Sequence, residues 1–242
     1  MDMIKVESCT DKTNCVLEAR QTLVAQLGKL KESNTPTLLC LSGGSALEIL
    51  KDFDFSVLGP HVTITVLDER YSTDPAINNM AQIYATGFIE SAMNEGCELI
   101  DTRVKEDETI EELVAGYNMA IVRWIENHNS GKVVATVGMG PDGHTSGIIP
   151  DSDKFEDLFM KNDQRFIVGY KAANQPEDRC MRASTNFEFL RMIAFAVLLI
   201  TGAEKQESLN RVLSEHGSLV ETPARIWQEI AGQVFLFSDL KV

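Results

Sequence analysis

The stretch VVATVGMGPDGHTSGIIP, residues 133–150, holds the residue types most able to do chemistry in this chain. Its first five residues are apolar and mostly β-branched, which predicts a strand buried on both faces. The glycines that follow favour a tight loop in which main-chain N–H groups approach a small molecule. His144 ends the loop, two residues after Asp142, where it suits a general base, although a hydrogen-bonded structural histidine is the alternative interpretation.

A second candidate is the segment LSGGSALEIL, which places Ser42, Gly43, Gly44 and Ser45 between a predicted strand and a predicted helix. Free N–H groups and the helix dipole favour an anion at such a junction. A tight turn without a ligand is the alternative. This segment has neither the G-x-G-x-x-G dinucleotide pattern nor a Gly-Lys-Ser/Thr phosphate loop, so neither of those nucleotide sites is predicted at this junction.

The third candidate is VLDERYST, where Asp68, Glu69 and Arg70 follow an apolar strand. Ionised groups in that position are costly unless they are paired or face a wet cleft. The sequence therefore predicts either an internal Asp–Arg pair or a site at the end of the strand.

The elements that must position these residues alternate between helix and strand patterns. In order, we predict an amphipathic helix at 9–33, strands TLLCLS and VTITVLD, helices at 80–94 and 109–132, strands at 133–137 and 165–171, helices at 189–201 and 202–215, and a strand at 232–239. This alternation indicates an α/β fold, a doubly wound, mostly parallel sheet with helices on both faces. TLLCLS, VTITVLD and VVATVG are expected as neighbouring central strands whose carboxyl ends form the site.

Composition narrows the functional classes. With 242 residues, 44% of them hydrophobic, the chain is long enough for one α/β domain over residues 1–242. A net charge of −14 argues against a nucleic-acid partner, so any cations that bind a phosphorylated small molecule must be local. The longest apolar stretch, residues 192–200, is too short to span a bilayer and no signal segment is seen. We expect a soluble cytoplasmic protein, a monomer or a weak homo-oligomer, without a membrane partner.

Metal and cofactor sites of the usual kinds are not expected. The five cysteines form no C-x-x-C pair, and none of the four histidines stands four residues from another. This spacing predicts neither a His/Cys metal site nor a bound cofactor, and it leaves a magnesium site built only from carboxylates open.

Four segments resemble one known family. GMGPDGHTSGIIP resembles the G-x-G-x-D-G-H-T-A-S-L-F-P segment of the 6-phosphogluconolactonases, and LSGGS, DER and TGAEK resemble the other three signatures in the same order. The resemblance runs from about residue 15 to 235 and implies a Rossmann-like fold of the sugar-phosphate isomerase/lactonase type. The wider family includes glucosamine-6-phosphate deaminases, whose loop continues through an Asn-Glu pair where this chain has Ile148 and Ile149. This difference, together with Arg70 where the deaminases have tyrosine, favours the lactonases.

The resemblance implies hydrolysis of 6-phospho-glucono-1,5-lactone to 6-phosphogluconate, a step of the oxidative pentose phosphate pathway. His144 matches the general base that takes a proton from the attacking water, a task that suits an imidazole at neutral pH. Asp142 and Asp68 match acidic positions, and either of them is able to orient the imidazole or stabilise the imidazolium.

The resemblance also implies how the substrate is bound. N–H groups of the turn at 43–45 would face the phosphate, and Arg182 in CMRAST and Lys205 in TGAEK would supply its positive partners. Arg70 would pair with acidic neighbours or reach the sugar acid.

Departures from the family pattern leave the exact sugar open. Residues 46–47 are Ala-Leu where the family has Thr-Pro, and Ser72-Thr73 replaces Val-Pro. They keep open a lactonase for another phosphorylated aldonolactone and a homologue that binds a sugar phosphate without turnover. A deaminase-like isomerase is the further alternative within the wider family. Retention of Asp68, Asp142 and His144 together favours the enzyme, because a sensor has no need of the full set.

Overall fold

A computed structural model describes residues 4–173 and 175–242 of the chain. Its strands, in chain order, are β1 (Ile4–Ser8), β2 (Thr37–Leu41), β3 (Val62–Val66), β4 (Asp68–Arg70), β5 (Glu98–Leu99), β6 (Lys132–Val137), β7 (Ile167–Lys171), β8 (Met181–Thr185), β9 (Ile193–Ile200) and β10 (Gln233–Ser238). Its α-helices are α1 (Lys12–Glu32), α2 (Asn79–Ala85), α3 (Phe88–Asn94), α4 (Ile110–Asn127), α5 (Phe187–Leu190) and α6 (Gln206–Leu213). Single-turn and 3₁₀ segments connect them.

Seven strands form one sheet in the order β1-β10-β9-β6-β2-β3-β5, and all of its neighbouring strands pair in parallel. This confirms the predicted α/β class and the predicted neighbours, since β2 lies between β6 and β3. Every residue of β2 and β3 is buried, so both faces of the sheet are covered at its centre. The carboxyl ends of β2, β3 and β6 therefore meet at one edge.

The prediction of a helix at 189–201 is wrong. Most of this segment is β9, which pairs with β6 on one side and β10 on the other. A continuous apolar run has no period, so a strand buried on both faces and a buried helix are equally compatible with it. Seven of the eight β9 residues are buried, as expected of a central strand.

The predicted helix at 80–94 is two helices. α2 ends before Thr86, and Gly87 adopts a φ of +78°, which a continuous helix does not allow. The amphipathic helix predicted at 9–33 is confirmed as α1, with Asp11 accepting a hydrogen bond from Asn14 N at its start.

Three strands form a second, antiparallel sheet in the order β4-β8-β7. The sequence predicted one strand, VTITVLD, that runs into Asp68, whereas the structure divides this segment between β3 and β4. Leu67 donates its N–H to Leu41 of the large sheet and accepts from Thr185 of the small one, so the chain changes sheets at this residue. Residues 165–171 do contain a strand, β7, but it belongs to the small sheet, and β1, β5 and β8 were not predicted. No helix among the described residues combines the length and apolar character that a membrane span requires.

Candidate active site

The predicted site residues converge on one cavity of about 240 Å³ at the carboxyl ends of β2, β3 and β6. Ser42, Asp68 and His144 all line it, as the fold prediction required. The other predicted residues that line it are Gly43, Gly44, Ser45, Arg70, Arg182 and Lys205, and the residues that sequence reasoning missed are Asn79, Gly138, Met139, Pro141 and Ser146. Asp142 does not line the cavity but contacts His144. The large sheet supplies the loops after β2 and β6, and the small sheet supplies Asp68, Arg70 and Arg182.

His144 and Asp142 form a hydrogen-bonded pair. His144 Nδ1 lies 2.6 Å from Asp142 Oδ1, and the same oxygen accepts the His144 backbone N–H at 3.1 Å. Burial alone would raise the pKa of Asp142, but the hydrogen bonds and charge of His144 outweigh it and lower that pKa. Asp142 therefore stays ionised beside Nδ1 and leaves Nε2 as the ring nitrogen able to accept a proton. Of the two acids expected near the imidazole, Asp142 is the one that is hydrogen-bonded to it.

The loop that carries this pair is tightly closed. Gly140 N donates to His144 O, and Gly143 N donates to Gly140 O, each at 3.0 Å. A Cβ on Gly140 would overlap the His144 ring and stand 2.6 Å from Asp142 Oδ1, so only glycine lets the ring lie against this backbone.

Residues between 211 and 227 contact the histidine loop from outside the cavity and fix its position. Trp227 Nε1 donates to Thr145 Oγ1 at 3.0 Å, and Arg211 Nη2 donates to the Asp142 carbonyl at 3.1 Å. Ala224 N donates to Gly143 O at 3.0 Å. These residues lie roughly 70 to 80 positions from the loop in sequence, so no local pattern marked them.

Asp68 has a different role from Asp142. Its carboxylate lies 3.7 Å from Arg182 Nη1 and accepts from Asn79 Nδ2 at 3.3 Å, and Asn79 Nδ2 also donates to the Asp68 carbonyl at 2.9 Å. Asp68 and Arg182 are both buried. The internal Asp–Arg pair weighed from the sequence is therefore present, with Arg182 and not Arg70 as the partner, and it lines the cavity.

Positive charge dominates the cavity lining. Arg70 stands opposite Arg182 in the β4–β8 register. Burial lowers the pKa of Arg70, with Asp68 opposing this shift and Arg182 adding to it. Lys205 adds a third cation, whereas Asp68 is the one carboxylate among the described lining residues. The cavity therefore attracts an anion although the whole chain carries a charge of −14.

Lys205 and the turn after β2 form one wall of the cavity. Lys205 Nζ lies 3.3 Å from Ser45 Oγ, and burial lowers its pKa. Gly44 adopts a φ of +63° and begins a 3₁₀ helix, Gly44–Leu50, where the sequence predicted an α-helix. The segment therefore presents a left-handed turn beside an ammonium group.

Buried polar atoms without partners cluster around the cavity. Of the eight such side-chain atoms in the described residues, five belong to residues that line it. They are Ser42 Oγ, Arg70 Nε, Asn79 Oδ1, Ser146 Oγ and Arg182 Nε. Unpaired buried polar groups are costly, so this concentration indicates a polar ligand.

Glu69 lies between two cavity residues in sequence but serves the fold. It is fully buried, and its carboxylate accepts from Asn79 N at 2.5 Å, Met80 N at 3.0 Å and Thr102 Oγ1 at 2.7 Å. It also accepts from Arg70 N at 2.8 Å. Glu69 thereby caps the first turn of α2 and holds Asn79 against Asp68.

Burial raises the pKa of Glu69 to about 8 against the hydrogen bonds that it accepts. Above that pH, where the carboxylate is ionised, Glu69→Gln is expected to lower the free energy of unfolding by about 1 to 3 kcal/mol, because the new amide group turns a donor toward N–H and O–H donors. Urea unfolding measures this loss. Glu90→Gln, on an exposed side chain in the first turn of α3, is the control and should change stability little. Equal stabilities of the two variants would contradict the capping role.

Comparison with known proteins agrees with this geometry. The model of the family described as glucosamine-6-phosphate isomerases/6-phosphogluconolactonase matches residues 10–236. A Dictyostelium discoideum protein named "Probable 6-phosphogluconolactonase" is 23% identical over 194 residues, 76% of each chain. The match to the structure of 6-phosphogluconolactonase from Plasmodium vivax covers 100% of this chain and 92% of that one, with a TM-score of 0.78 and 18% sequence identity. The match to the structure of 6-phosphogluconolactonase from Trypanosoma brucei covers 98% of this chain and 97% of that one, with a TM-score of 0.79 and 15% identity. Since the family model spans nearly the whole chain, the protein belongs to the glucosamine-6-phosphate isomerase/6-phosphogluconolactonase family.

Proposed function

We propose that this protein hydrolyses 6-phospho-glucono-1,5-lactone to 6-phosphogluconate. The observation that carries the proposal is the His144–Asp142 pair beside a cavity lined by three cations and one carboxylate. A base and a cationic polar pocket are what the hydrolysis of an anionic sugar lactone requires. The names of the family's lactonases agree with this assignment.

In the proposed mechanism, Nε2 of His144 takes a proton from a water molecule as the water oxygen attacks the lactone carbonyl carbon. Asp142 stabilises the imidazolium that forms. The carbon–ring oxygen bond then breaks, and the imidazolium returns its proton to the departing ring oxygen, which becomes the C5 hydroxyl. The products are the free acid, which ionises at neutral pH, and the regenerated neutral histidine.

The cations divide between substrate binding and the reaction. Lys205 and the N–H groups of the turn at 43–45 would bind the phosphate from one wall of the cavity, and Arg182 would supply a second positive charge. Arg182 is held by Asp68, so its guanidinium keeps one orientation. Arg70 is the cation left to face the hydroxyls or the developing carboxylate of the sugar acid.

The residues after the loop favour the lactonase over the deaminase. Ile148 and Ile149 are buried apolar side chains, and neither is able to relay a proton during ring opening. Lactone hydrolysis needs only a base for water and electrostatic support for the oxyanion.

The wild-type protein should accelerate hydrolysis of freshly generated 6-phosphogluconolactone well above the spontaneous rate. Proton release in a weakly buffered solution, at constant pH near neutrality, measures the difference. A His144→Ala preparation purified identically controls for contaminating lactonases. If the protein binds 6-phosphogluconate but does not exceed the spontaneous rate, the chain is a sugar-phosphate sensor. Release of ammonia from glucosamine 6-phosphate would instead make it a deaminase.

We further propose that residues 1–242 act as a single cytoplasmic domain, a monomer or a weak homo-oligomer, without nucleic-acid or membrane partners. Two observations support the single domain: β1 pairs with β10, and one hydrophobic cluster extends from Ile4 to Phe237. The acidic net charge supports the absence of a nucleic-acid partner.

A further inference from the structure

Ser146 is a cavity residue with two unusual features. Its φ of +51° places a non-glycine residue in the left-handed region, which is strained for a residue with a Cβ and recurs at functional sites. The residue is 8% exposed, and its Oγ finds no hydrogen-bond partner among the described residues. The family segment quoted above has alanine at this position. The hydroxyl is therefore a feature of this chain.

The surroundings of Ser146 show which part of a substrate it would meet. Ser146 follows His144 by two residues, and a Cβ on the next residue, Gly147, would lie 3.1 Å from Asp68 Cβ. Ser146 thus lies where the His144 loop closes on Asp68. In the proposed mechanism His144 stands at the lactone carbonyl, and Ser146 lines the same cavity two residues further along the loop, which would place its hydroxyl beside the ring carbon next to that carbonyl.

We propose that Ser146 is a specificity-determining residue whose hydroxyl hydrogen-bonds the C2 hydroxyl of the sugar lactone, the one beside the reacting carbonyl. This inference rests on the proposed function. One torsion, χ1, moves the serine hydroxyl, and a hydroxyl is both donor and acceptor, so it can turn to a ligand at little cost. A substrate hydroxyl then satisfies a group that is otherwise buried without a partner.

The test compares two substrates, 6-phosphogluconolactone and its 2-deoxy analogue, on the wild type, Ser146→Ala and Ser146→Gly. For the hydroxylated lactone, both variants should lose roughly 3- to 10-fold in kcat/KM, the range of one neutral hydrogen bond. For the 2-deoxy lactone they should equal the wild type. Enzyme and substrate hydroxyls thus form a double-mutant cycle with a measurable coupling.

Two controls separate specificity from folding. Alanine is strained at a positive φ and glycine is not, so the two variants should differ in Tm yet lose the same selectivity. Ser152→Ala removes a buried hydroxyl nearby that donates to Ile149 O and does not line the cavity, and it should leave the substrate ratio unchanged. An equal loss on both lactones would show that Ser146 is structural. A wild type inactive on both would overturn the proposed function itself.

Discussion

Replacing His144 with alanine is expected to lower kcat by about 10²- to 10⁴-fold while KM for the phosphorylated lactone stays within a few-fold. The imidazole acts only when a proton leaves the water, so the ground-state complex loses little. Its hydrogen bond to Asp142 holds the ring in one orientation, and the substitution leaves in place the cations that we propose to bind the phosphate. Initial rates of proton release, corrected for spontaneous hydrolysis at every pH, measure both constants.

The pH profile supplies an independent readout of the same base. A general base acts only in its unprotonated form, so wild-type kcat/KM should fall on the acid side of the pH profile. His144→Ala should lose this acid limb. His128→Ala is the matched control, because its Nδ1 contacts Trp124 O and it lies outside the cavity lining. Unchanged kcat in His144→Ala would make the histidine structural and the mechanism wrong.

Lys205→Ala is expected to raise KM by roughly 10- to 150-fold and to erase the preference for the phosphorylated over the unphosphorylated lactone. A charge-assisted contact is worth about 1.5 to 3 kcal/mol, and that energy converts to this range. The ammonium lies beside the Ser45 hydroxyl, on the wall proposed to bind the phosphate, so kcat should change less than KM. Kinetics on both lactones measure the split.

Lys205→Met tests the same assignment through thermal stability and binding of the product, without a measurement of turnover. Lys205 is buried and has no carboxylate within ion-pair distance among the described residues, so an apolar chain of similar length should raise Tm while binding of 6-phosphogluconate weakens by the same factor as in Lys205→Ala. Lys171→Met, at an exposed lysine paired with Glu177, is the control and should affect neither property strongly. A variant that keeps phosphate-dependent binding would remove Lys205 from the phosphate site.

The convergence of the site residues could be predicted because the signals were local. The largely apolar runs at 37–41, 62–66 and 133–137 mark buried strands, and parallel strands bring their carboxyl ends to one edge. Loops that follow such strands must meet. Hence His144 and Ser42 could be placed together before any distance was known.

The parts that could not be predicted depend on distant contacts. The sequence of β9 alone is compatible with a helix, and only its pairing with β6 and β10 identifies it as a strand. Glu69 and Asp68 are adjacent acids in sequence, and only the N–H groups of α2 show that one of them caps a helix. The catalytic and binding roles of the site residues stay predictions until the variants are measured.

The pairing of β1 with β10 has a consequence for how the protein is made. Synthesis proceeds from the amino terminus, so Ile4–Ser8 leaves the ribosome long before Gln233–Ser238, the strand that pairs with it. Until β10 has been made, β1 has no strand to pair with. The pairing at this edge of the sheet therefore forms late, between residues far apart in sequence. Trp227, which anchors the histidine loop, emerges only shortly before that strand. A nascent chain thus acquires the geometry of this site only after residues 227–238 have been translated.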